Sequence, residues 1–345
     1  MSIEPISRQE DRLTLAAKLA FLGRAESYPD PTVSVRAVES HMSWVFLTDR
    51  YAYKLKKPVR YPFLDFSTVE ARKFHCEEEV RLNRRLAGEA YIGTVPLCLD
   101  HAGAMRLAGT GTPVDWLVKM HRLPAERMLD AAIASGTVED SEVRTVARKL
   151  ARFYGAAPPA DMTADAYRAR FEQDIRANLA ELSRPVFNLP RDAVEGSCAA
   201  QLDLLERERS LFDERVAGGR VIEAHGDLRP EHICLGTQPV IIDCLEFNRD
   251  FRILDVADEL SFFGLECDRL GAPQVGQTVF AVYAEMANDH PPAKLLDFYK
   301  SYRACMRAKL CMWHLLEPAR SDGQKWLPLA LDYLERAENC AARLA

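Results

Sequence analysis

The stretch that decides the fold is His225-Gly226-Asp227-Leu228-Arg229-Pro230-Glu231-His232-Ile233-Cys234-Leu235, followed after a short turn by Val240-Ile241-Ile242-Asp243. Its apolar runs predict strands at 233–235 and 240–242, and Val221-Ile222 predicts another strand before the polar loop 225–230. Asp227 and Asp243 would then lie at strand ends on the same rim. A loop aspartate can accept a hydroxyl proton, and an aspartate that ends an apolar strand can hold Mg²⁺ against nucleotide phosphates. The pattern therefore indicates chemistry on phosphate groups.

In this order the two segments resemble the kinase catalytic loop, His-x-Asp-x-x-x-x-Asn, and the metal-binding Asp that follows it. The form His-Gly-Asp is that of aminoglycoside phosphotransferases and choline kinases. The resemblance implies that His225 and Asp227 are catalytic, with Asp227 as the base, and that Asp243 binds Mg²⁺. The sequence departs from the motif at His232, which stands where the family has a metal-binding Asn. Neutral imidazole ligates metals although Mg²⁺ prefers oxygen, so His232 stays a candidate ligand.

A lysine-bearing strand is predicted at 51–56, where alternation places Ala52 and Lys54 on one face. The kinase Val-Ala-Ile-Lys segment has the same arrangement, so the resemblance makes Lys54 the residue that grips the α and β phosphates. Lys56 shares that face and is the alternative. Such a lysine needs a carboxylate partner, and Glu79 has the helical phase that places it beside the sheet, with Glu78 as the alternative.

The segments expected to cover the nucleotide phosphates and to contact adenine match the kinase pattern less closely. The turn at 39–43 between the first two predicted strands contains no glycine, so Ser40, Ser43 and backbone amides are predicted to bind phosphate oxygens as an anion nest. This cradle is sterically less permissive than one built on glycine. Met120 and Arg122 lie where the resemblance places the hinge that contacts adenine.

The order of predicted elements is also that of a kinase. A helix at 11–23 is followed by strands at 33–38, 43–47 and 51–56, a helix at 68–86, and strands at 91–99 and 116–120, with a loop or hairpin turn region at 103–113 between the last two. Later helices are predicted at 128–134, 141–153, 164–182, 193–217, 255–266, 277–288 and 293–316. We expect an α+β, two-lobed protein-kinase-like fold, with a small nucleotide-binding lobe at 1–122 made of an antiparallel sheet plus a helix. Residues 123–345 would form a mainly helical catalytic and acceptor-binding lobe.

Composition bounds the partners. The net charge of −6 argues against a nucleic-acid surface. The sequence has no apolar leader and no uncharged span long enough to cross a bilayer, so no membrane partner and a cytoplasmic location are expected. The nine cysteines include no Cys-x-x-Cys pair and are predicted to be reduced and buried. A zinc site at His225, His232, Cys234 and Cys244 is disfavoured, because these cysteines lie in or beside apolar strands.

Together these patterns predict an ATP- and Mg²⁺-dependent phosphotransferase that moves the γ-phosphoryl group to a hydroxyl of a small molecule. The segment 244–252 is too short to present a peptide acceptor. The acidic residues Glu246, Asp250, Asp258 and Glu259, with Asp243, favour a polar or cationic hydroxylated acceptor, unless the outer ones are ordinary acids of a first helical turn. The alternative is a pseudokinase, a nucleotide-binding or interaction module, since His232 and the glycine-free turn are departures from an active site.

Overall fold

The computed structural model describes residues 14–61, 63–316 and 323–345, and its contacts divide the chain into two compact units. The first unit comprises Met1–Ala132 with Glu231–Phe251, and the second comprises Ile133–Pro230 with Arg252–Ala345. The return of residues 231–251 to the first unit brings the Asp243 segment together with the N-terminal strands. The division of the chain at residue 122 into two functional lobes stays a prediction.

A six-stranded antiparallel sheet forms the centre of the first unit. Its strands are β1 (Arg36–Glu39), β2 (Ser43–Leu47), β3 (Tyr51–Lys56), β6 (Tyr91–Leu99), β7 (Met105–Leu107) and β8 (Thr112–His121), in the order β1-β2-β3-β8-β6-β7. Two short hairpins accompany the sheet, β4 (Arg60–Tyr61) with β5 (Leu64–Asp65), and β10 (Ile233–Cys234) with β11 (Val240–Ile241).

The predicted strands at 43–47, 51–56 and 91–99 are confirmed, and the start of the first strand is corrected. The first strand begins at Arg36 instead of residue 33. The segment 103–113, predicted as a loop or hairpin turn region, contains the short strand β7, because Asp100 closes a tight turn by accepting the amide hydrogens of Ala102 and Ala104. That turn folds β7 back onto β6.

Strand β3 is covered on both faces, as its alternation requires. Tyr53 and Leu55 belong to an apolar cluster that also contains Phe21 and Leu22 of helix α1 (Leu15–Leu22). The opposite face carries Lys54 and Lys56, which contact helix α2 (Val69–Ala87). Residues 11–13 of the predicted first helix lie outside the described residues.

Helix α2 buries charged side chains as well as apolar ones. Arg72 is fully buried and donates two hydrogen bonds to Asp115 of β8, at 2.7 and 3.0 Å. Lys18 of α1 donates to the same carboxylate at 2.9 Å. Because a buried charge is costly unless it is paired, this ion triad fixes both helices against the sheet.

The second unit is mainly helical. Helix α3 (Leu129–Ser135) leads into it, and it contains α4 (Asp140–Ala156), α5 (Ala164–Leu182), α6 (Arg191–Arg207), α7 (Arg209–Ala217), α8 (Val256–Arg269), α9 (Pro273–Ala287), α10 (Ala293–Leu315) and α11 (Gly323–Ala341), with β9 (Val221–Glu223) paired to β12 (Ile253–Asp255). In the described part of the chain, no helix is both long and apolar enough to span a membrane.

Three details of this unit differ from the prediction. The helix predicted at 193–217 is two helices separated at Glu208, and α11 was not predicted. Asp255 ends β12 and caps α8 by accepting the amide hydrogen of Ala257, so it precedes the helix. Its carboxylate also pairs with Arg215 at 2.7 Å, which stabilises this buried acid.

Candidate active site

Two lysines of β3 share one buried carboxylate of α2. Lys54 Nζ lies 2.9 Å from Glu79 Oε1, and Lys56 Nζ lies 2.6 Å from Glu79 Oε2. The Glu79 side chain has no exposed surface. Lys54 and Lys56 meet the same carboxylate because they lie two residues apart on one face of a strand. The predicted pair of Lys54 and Glu79 therefore exists, and the alternative lysine is part of the same group.

Asp243 follows β11 and completes this group. Its Oδ1 lies 2.6 Å from Lys54 Nζ, and its Oδ2 lies 3.5 Å from Nε2 of His232. The backbone of Asp243 has φ of 64°, in the left-handed region that Asp adopts more readily than most residues. The two predicted metal ligands, Asp243 and His232, are thus brought together in the first unit.

Helix α2 and strand β6 hold the backbone around Asp243. Asn83 Oδ1 accepts the amide hydrogen of Cys244 at 2.9 Å, and Asn83 Nδ2 donates to the carbonyl oxygen of Glu79. The hydroxyl of Tyr91 accepts the amide hydrogen of Asp243 at 3.3 Å. These residues were not predicted. Asn83 lies four residues after Glu79 on the buried side of α2. A polar residue at that position of the helix was the one sign in the sequence of a role in the site.

Glu246 also belongs to this group of charges, although its position in the sequence predicts a role in binding the acceptor. Its Oε1 accepts a hydrogen bond from Lys56, and its side chain is only 8% exposed. The same lysine therefore bridges Glu79 and Glu246 in the interior of the first unit. This contact places the segment after Asp243 beside β3.

The charges of this group support one another. Burial alone would lower the pKa of Lys54, but the Asp243 and Glu79 carboxylates raise it well above its ordinary value. Burial would raise the pKa of Glu79, but Lys54 and Lys56 lower it below its ordinary value. For Glu246 burial prevails and its pKa is raised, although Lys56 acts in the opposite direction. Lys54 and Glu79 are therefore held as an ion pair at neutral pH.

The loop that carries Asp227 is held within the second unit by Glu259 of α8. Glu259 Oε1 accepts the amide hydrogens of His225 at 2.9 Å and Gly226 at 2.6 Å, and its Oε2 accepts the hydroxyl hydrogen of Tyr154 at 2.7 Å. Burial raises the pKa of Glu259, whereas the hydrogen bonds from Gly226 and Tyr154 favour the carboxylate. Glu259 thus fixes the backbone immediately before Asp227.

Asp227 is the partly exposed residue of this loop. Its Oδ1 lies 3.1 Å from Nε of Arg229, and its side chain is 21% exposed. His225, in contrast, is 1% exposed, and its Nδ1 accepts the amide hydrogen of Asp227 at 3.3 Å. The burial of His225 suits a residue that orients the loop, whereas Asp227 has the exposure that a base requires.

The glycine-free turn before β2 is closed by its own serine. Ser40 Oγ donates to the carbonyl oxygen of Ser43 at 3.0 Å and accepts its amide hydrogen at 3.1 Å. Lys57 Nζ donates to the carbonyl oxygen of Ser40 at 2.8 Å. Phosphate binding by Ser40 and Ser43 stays a prediction, and it would compete with these hydrogen bonds.

Of the two predicted hinge residues, Met120 lies in the last part of β8 and Arg122 directly follows the strand. Met120 is paired with Ala52 of β3 and with Tyr91 of β6. Arg122 donates from Nη1 to the carbonyl oxygen of Thr48 at 2.7 Å, so its guanidinium secures the turn between β2 and β3. Contact of these residues with adenine stays a prediction.

Three acids that were expected to favour a cationic acceptor have internal roles. Glu246 pairs with Lys56, and Glu259 holds the loop described above. Asp258 is buried and pairs with Arg303 at 2.5 Å. A buried acid needs a partner, and each of these three acids has one inside the protein. They therefore no longer support the expectation of a cationic acceptor.

All nine cysteines lie among the described residues, where they are buried and form no disulfide bond. Across the described ranges, no three His, Cys, Asp or Glu side chains form a group that could hold a metal ion by themselves. A metal at Asp243 would need further ligands from outside the protein, such as phosphate oxygens and water.

Residues 65–288 match the sequence profile of the phosphotransferase enzyme family, APH. Uncharacterized proteins of Mycobacterium tuberculosis and Mycobacterium bovis are 31% identical to this chain over 328 residues. The aligned region covers 91% of this chain and 63% of each relative, so the chain spans less than two thirds of the length of these curated relatives.

Solved structures with the same fold include a choline/ethanolamine kinase family protein from Mesorhizobium loti, with a TM-score of 0.51 and 13% identity over 94% of this chain and 99% of that one. The AMP-bound complex of spectinomycin phosphotransferase APH(9)-Ia matches with a TM-score of 0.50 and 12% identity, over 90% of this chain and 94% of that one. At such identities the likeness concerns the fold alone. The predicted α+β, protein-kinase-like fold is confirmed.

Proposed function

This chain belongs to the phosphotransferase enzyme family, and from that premise we propose that it transfers the γ-phosphoryl group of ATP to a hydroxyl group of a small molecule. The observation that carries the proposal is the position of Lys54, whose ammonium lies between Glu79 and Asp243 at 2.9 and 2.6 Å. A lysine held by a carboxylate and adjacent to a metal-binding aspartate is the arrangement that phosphoryl transfer needs.

The group suits a divalent cation. The carboxylates of Glu79, Asp243 and Glu246 face the ammonium groups of Lys54 and Lys56, so the ionised group is net negative. Of the three acids only Asp243 has substantial exposure, at 43%. Asp243 would hold Mg²⁺ and His232 would lie beside it. The ion would supply charge stabilisation to the phosphates.

Lys54 is the better phosphate ligand of the two lysines. Its side chain is 12% exposed and contacts Asp243, whereas that of Lys56 has no exposed surface. A phosphate that binds Lys54 would take over part of the hydrogen bonding now given to Asp243. An ammonium has three donors, so the bond to Glu79 can persist while phosphate binds.

Asp227 would act as the base, and His225 as a positioning residue. The acceptor hydroxyl oxygen bonds to the γ phosphorus as the bond to the leaving ADP oxygen breaks, and the hydroxyl proton passes to the carboxylate of Asp227. Glu259 contributes by fixing the amides of His225 and Gly226. Catalysis of this kind rests on positioning and electrostatics.

The acceptor is proposed to be a small hydroxylated molecule. Asp243 is followed after only residues 244–252 by strand β12, which leaves little chain to lay out a peptide. The nine buried thiols fit a reducing compartment such as the cytoplasm.

A second candidate, a pseudokinase, is favoured by two specific observations. His232 replaces the family's asparagine, and Ser40 closes the turn where a flexible nucleotide cover would lie. Such a protein would bind nucleotide through Lys54 without transferring phosphate.

Calorimetric titration with the ATP analogue AMP-PNP, with and without Mg²⁺, tests nucleotide binding. A screen of fractionated metabolites with γ-labelled ATP, run beside GTP and with Asp227→Asn as the control, then tests transfer. Transfer to a hydroxylated metabolite that is lost in the control supports the proposal. Mg²⁺-dependent binding without transfer to any fraction favours the pseudokinase, and absence of nucleotide binding overturns both.

A further inference from the structure

The ammonium of Lys56 is enclosed by two carboxylates and a ring. It lies 2.6 Å from Glu79 Oε2, donates to Glu246 Oε1, and lies 5.0 Å from the centre of the Phe66 ring. Its side chain has no exposed surface. A cation buried this deeply is unavailable to a ligand, so its role must be exerted through the groups that it contacts.

The most important of those groups is Glu79. Each carboxylate oxygen of Glu79 takes one lysine, Oε1 from Lys54 and Oε2 from Lys56. Lys54 is also shared with Asp243. If Lys56 were absent, the fully buried Glu79 would depend on a single cation that Asp243 and a phosphate both compete for. An incompletely paired buried carboxylate is costly.

Glu246 gives Lys56 a second connection. It lies three residues after Asp243, so the bond from Lys56 holds this segment to β3. Asn83 holds Cys244 in the same segment to α2. The backbone that follows Asp243 is thereby attached to β3, which carries Lys54, and to α2, which carries Glu79.

We propose that Lys56 and Glu246 are positioning residues of the nucleotide site. They keep Glu79 fully paired while Lys54 shares its donors with phosphate, and they hold Asp243 in register with Lys54 and Glu79. The inference rests on the proposed function, because it takes Lys54 as the phosphate ligand. It differs from the usual single pair of lysine and glutamate in giving the glutamate a permanent second cation.

The test compares Lys56→Met, Glu246→Gln and the double variant with the wild type. Thermal unfolding measures the folded state, and calorimetry measures the affinity for Mg²⁺ and AMP-PNP. Lys56→Met should lower both the unfolding temperature and the nucleotide affinity. The affinity should fall about tenfold or more, which corresponds to about 1.4 kcal/mol of binding free energy. The double variant removes both members of the pair and should recover part of the unfolding temperature while the affinity stays low.

A merely structural role predicts otherwise, because affinity would return together with stability in the double variant. That result, or wild-type affinity in a folded Lys56→Met protein, would overturn the proposal. Should Lys56→Met fail to fold, the double variant alone decides. Lys73→Met is the matched control, since it removes an ammonium from the exposed side of α2, and its affinity should equal that of the wild type. A wild type that binds no nucleotide would refute the proposed function instead.

Discussion

The side-chain oxygen of Asn83 accepts the amide hydrogen of Cys244 at 2.9 Å, so helix α2 holds the residue directly after Asp243. The amide group of Asn83 also donates to the carbonyl oxygen of Glu79 at 2.9 Å. One side chain therefore joins the backbone of Glu79, the partner of Lys54, to the backbone of the residue that follows the proposed metal ligand.

Replacement of Asn83 by Leu should destabilise the protein by about 1–3 kcal/mol, because the buried amide of Cys244 loses its acceptor. The affinity for Mg²⁺ and AMP-PNP should fall as well, since Asp243 would lose its register. Denaturant unfolding and calorimetry measure the two effects. Glu77→Ala, on the exposed side of the same helix, is the control. Reduced stability with unchanged affinity would show that Asn83 acts on folding alone.

Asp227 and Asp243 should fail in different ways. Asp227→Asn is expected to lower turnover by about 10²- to 10⁴-fold, as loss of a general base does, with nearly unchanged nucleotide affinity. Asp243→Asn should also weaken the binding of Mg²⁺ and nucleotide. Single-turnover phosphate transfer and calorimetry separate the two. Wild-type turnover in Asp227→Asn would contradict the assignment of the base.

Lys54 and Glu79 should act as a coupled pair, because their side chains meet at 2.9 Å. Lys54→Met and Glu79→Gln should each weaken nucleotide binding, and the double variant should lose less than the two single losses together. A coupling of about 0.5–3 kcal/mol is expected for residues in contact. Calorimetric affinities of the four proteins give this value, and strict additivity would argue against the pair.

His232→Asn restores the residue of the family motif beside Asp243, and it should retain or raise activity with Mg²⁺. Imidazole nitrogen is a poorer ligand for Mg²⁺ than an amide oxygen, so the variant should need no more Mg²⁺ than the wild type. Rates of the two proteins across a range of Mg²⁺ concentrations provide the measurement. An identical dependence on Mg²⁺ would remove His232 from the proposed metal site.

Glu259 should matter through its oxygens rather than its charge. Glu259→Gln keeps an acceptor for the amides of His225 and Gly226, and it should retain most activity. Glu259→Leu leaves these buried donors without their acceptor and should cost about 1–3 kcal/mol for each, with a fall in turnover. Equal activity of the Gln and Leu variants, once folding is verified, would be inconsistent with this role.

The sequence was most informative about which face of each element is buried. Alternation in β3 placed Lys54 and Lys56 on the face that meets Glu79, and helical phase favoured Glu79 over Glu78. Glu78 is instead paired with Arg81 on the same helix. The sequence could not reveal that Lys56 binds the second oxygen of Glu79, because a sequence pattern does not show how many cations one carboxylate contacts.

The internal partners of three acids were beyond the reach of the sequence. Glu246, Asp258 and Glu259 favour a cationic acceptor in the sequence analysis, with a first helical turn as the alternative for the outer ones, and Asp258 and Glu259 do lie in the first turn of α8. Their partners lie far away along the chain, such as Lys56 for Glu246 and Arg303 for Asp258. The break at Glu208 was missed because no glycine or proline marks it. Periodicity thus predicted the local elements, whereas the burial of these charges and their long-range partners could be seen only in the three-dimensional structure.

The left-handed backbone at Asp243 limits which sequences can evolve at this position. With φ of 64°, most residues would be strained by about 1–2 kcal/mol, and only Gly, Asn and Asp are readily accommodated. The proposed metal site selects independently for a carboxylate. Asp satisfies both demands, whereas Glu meets only the second and Asn only the first. Laboratory evolution toward new acceptors should therefore leave residue 243 unchanged while variation accumulates elsewhere.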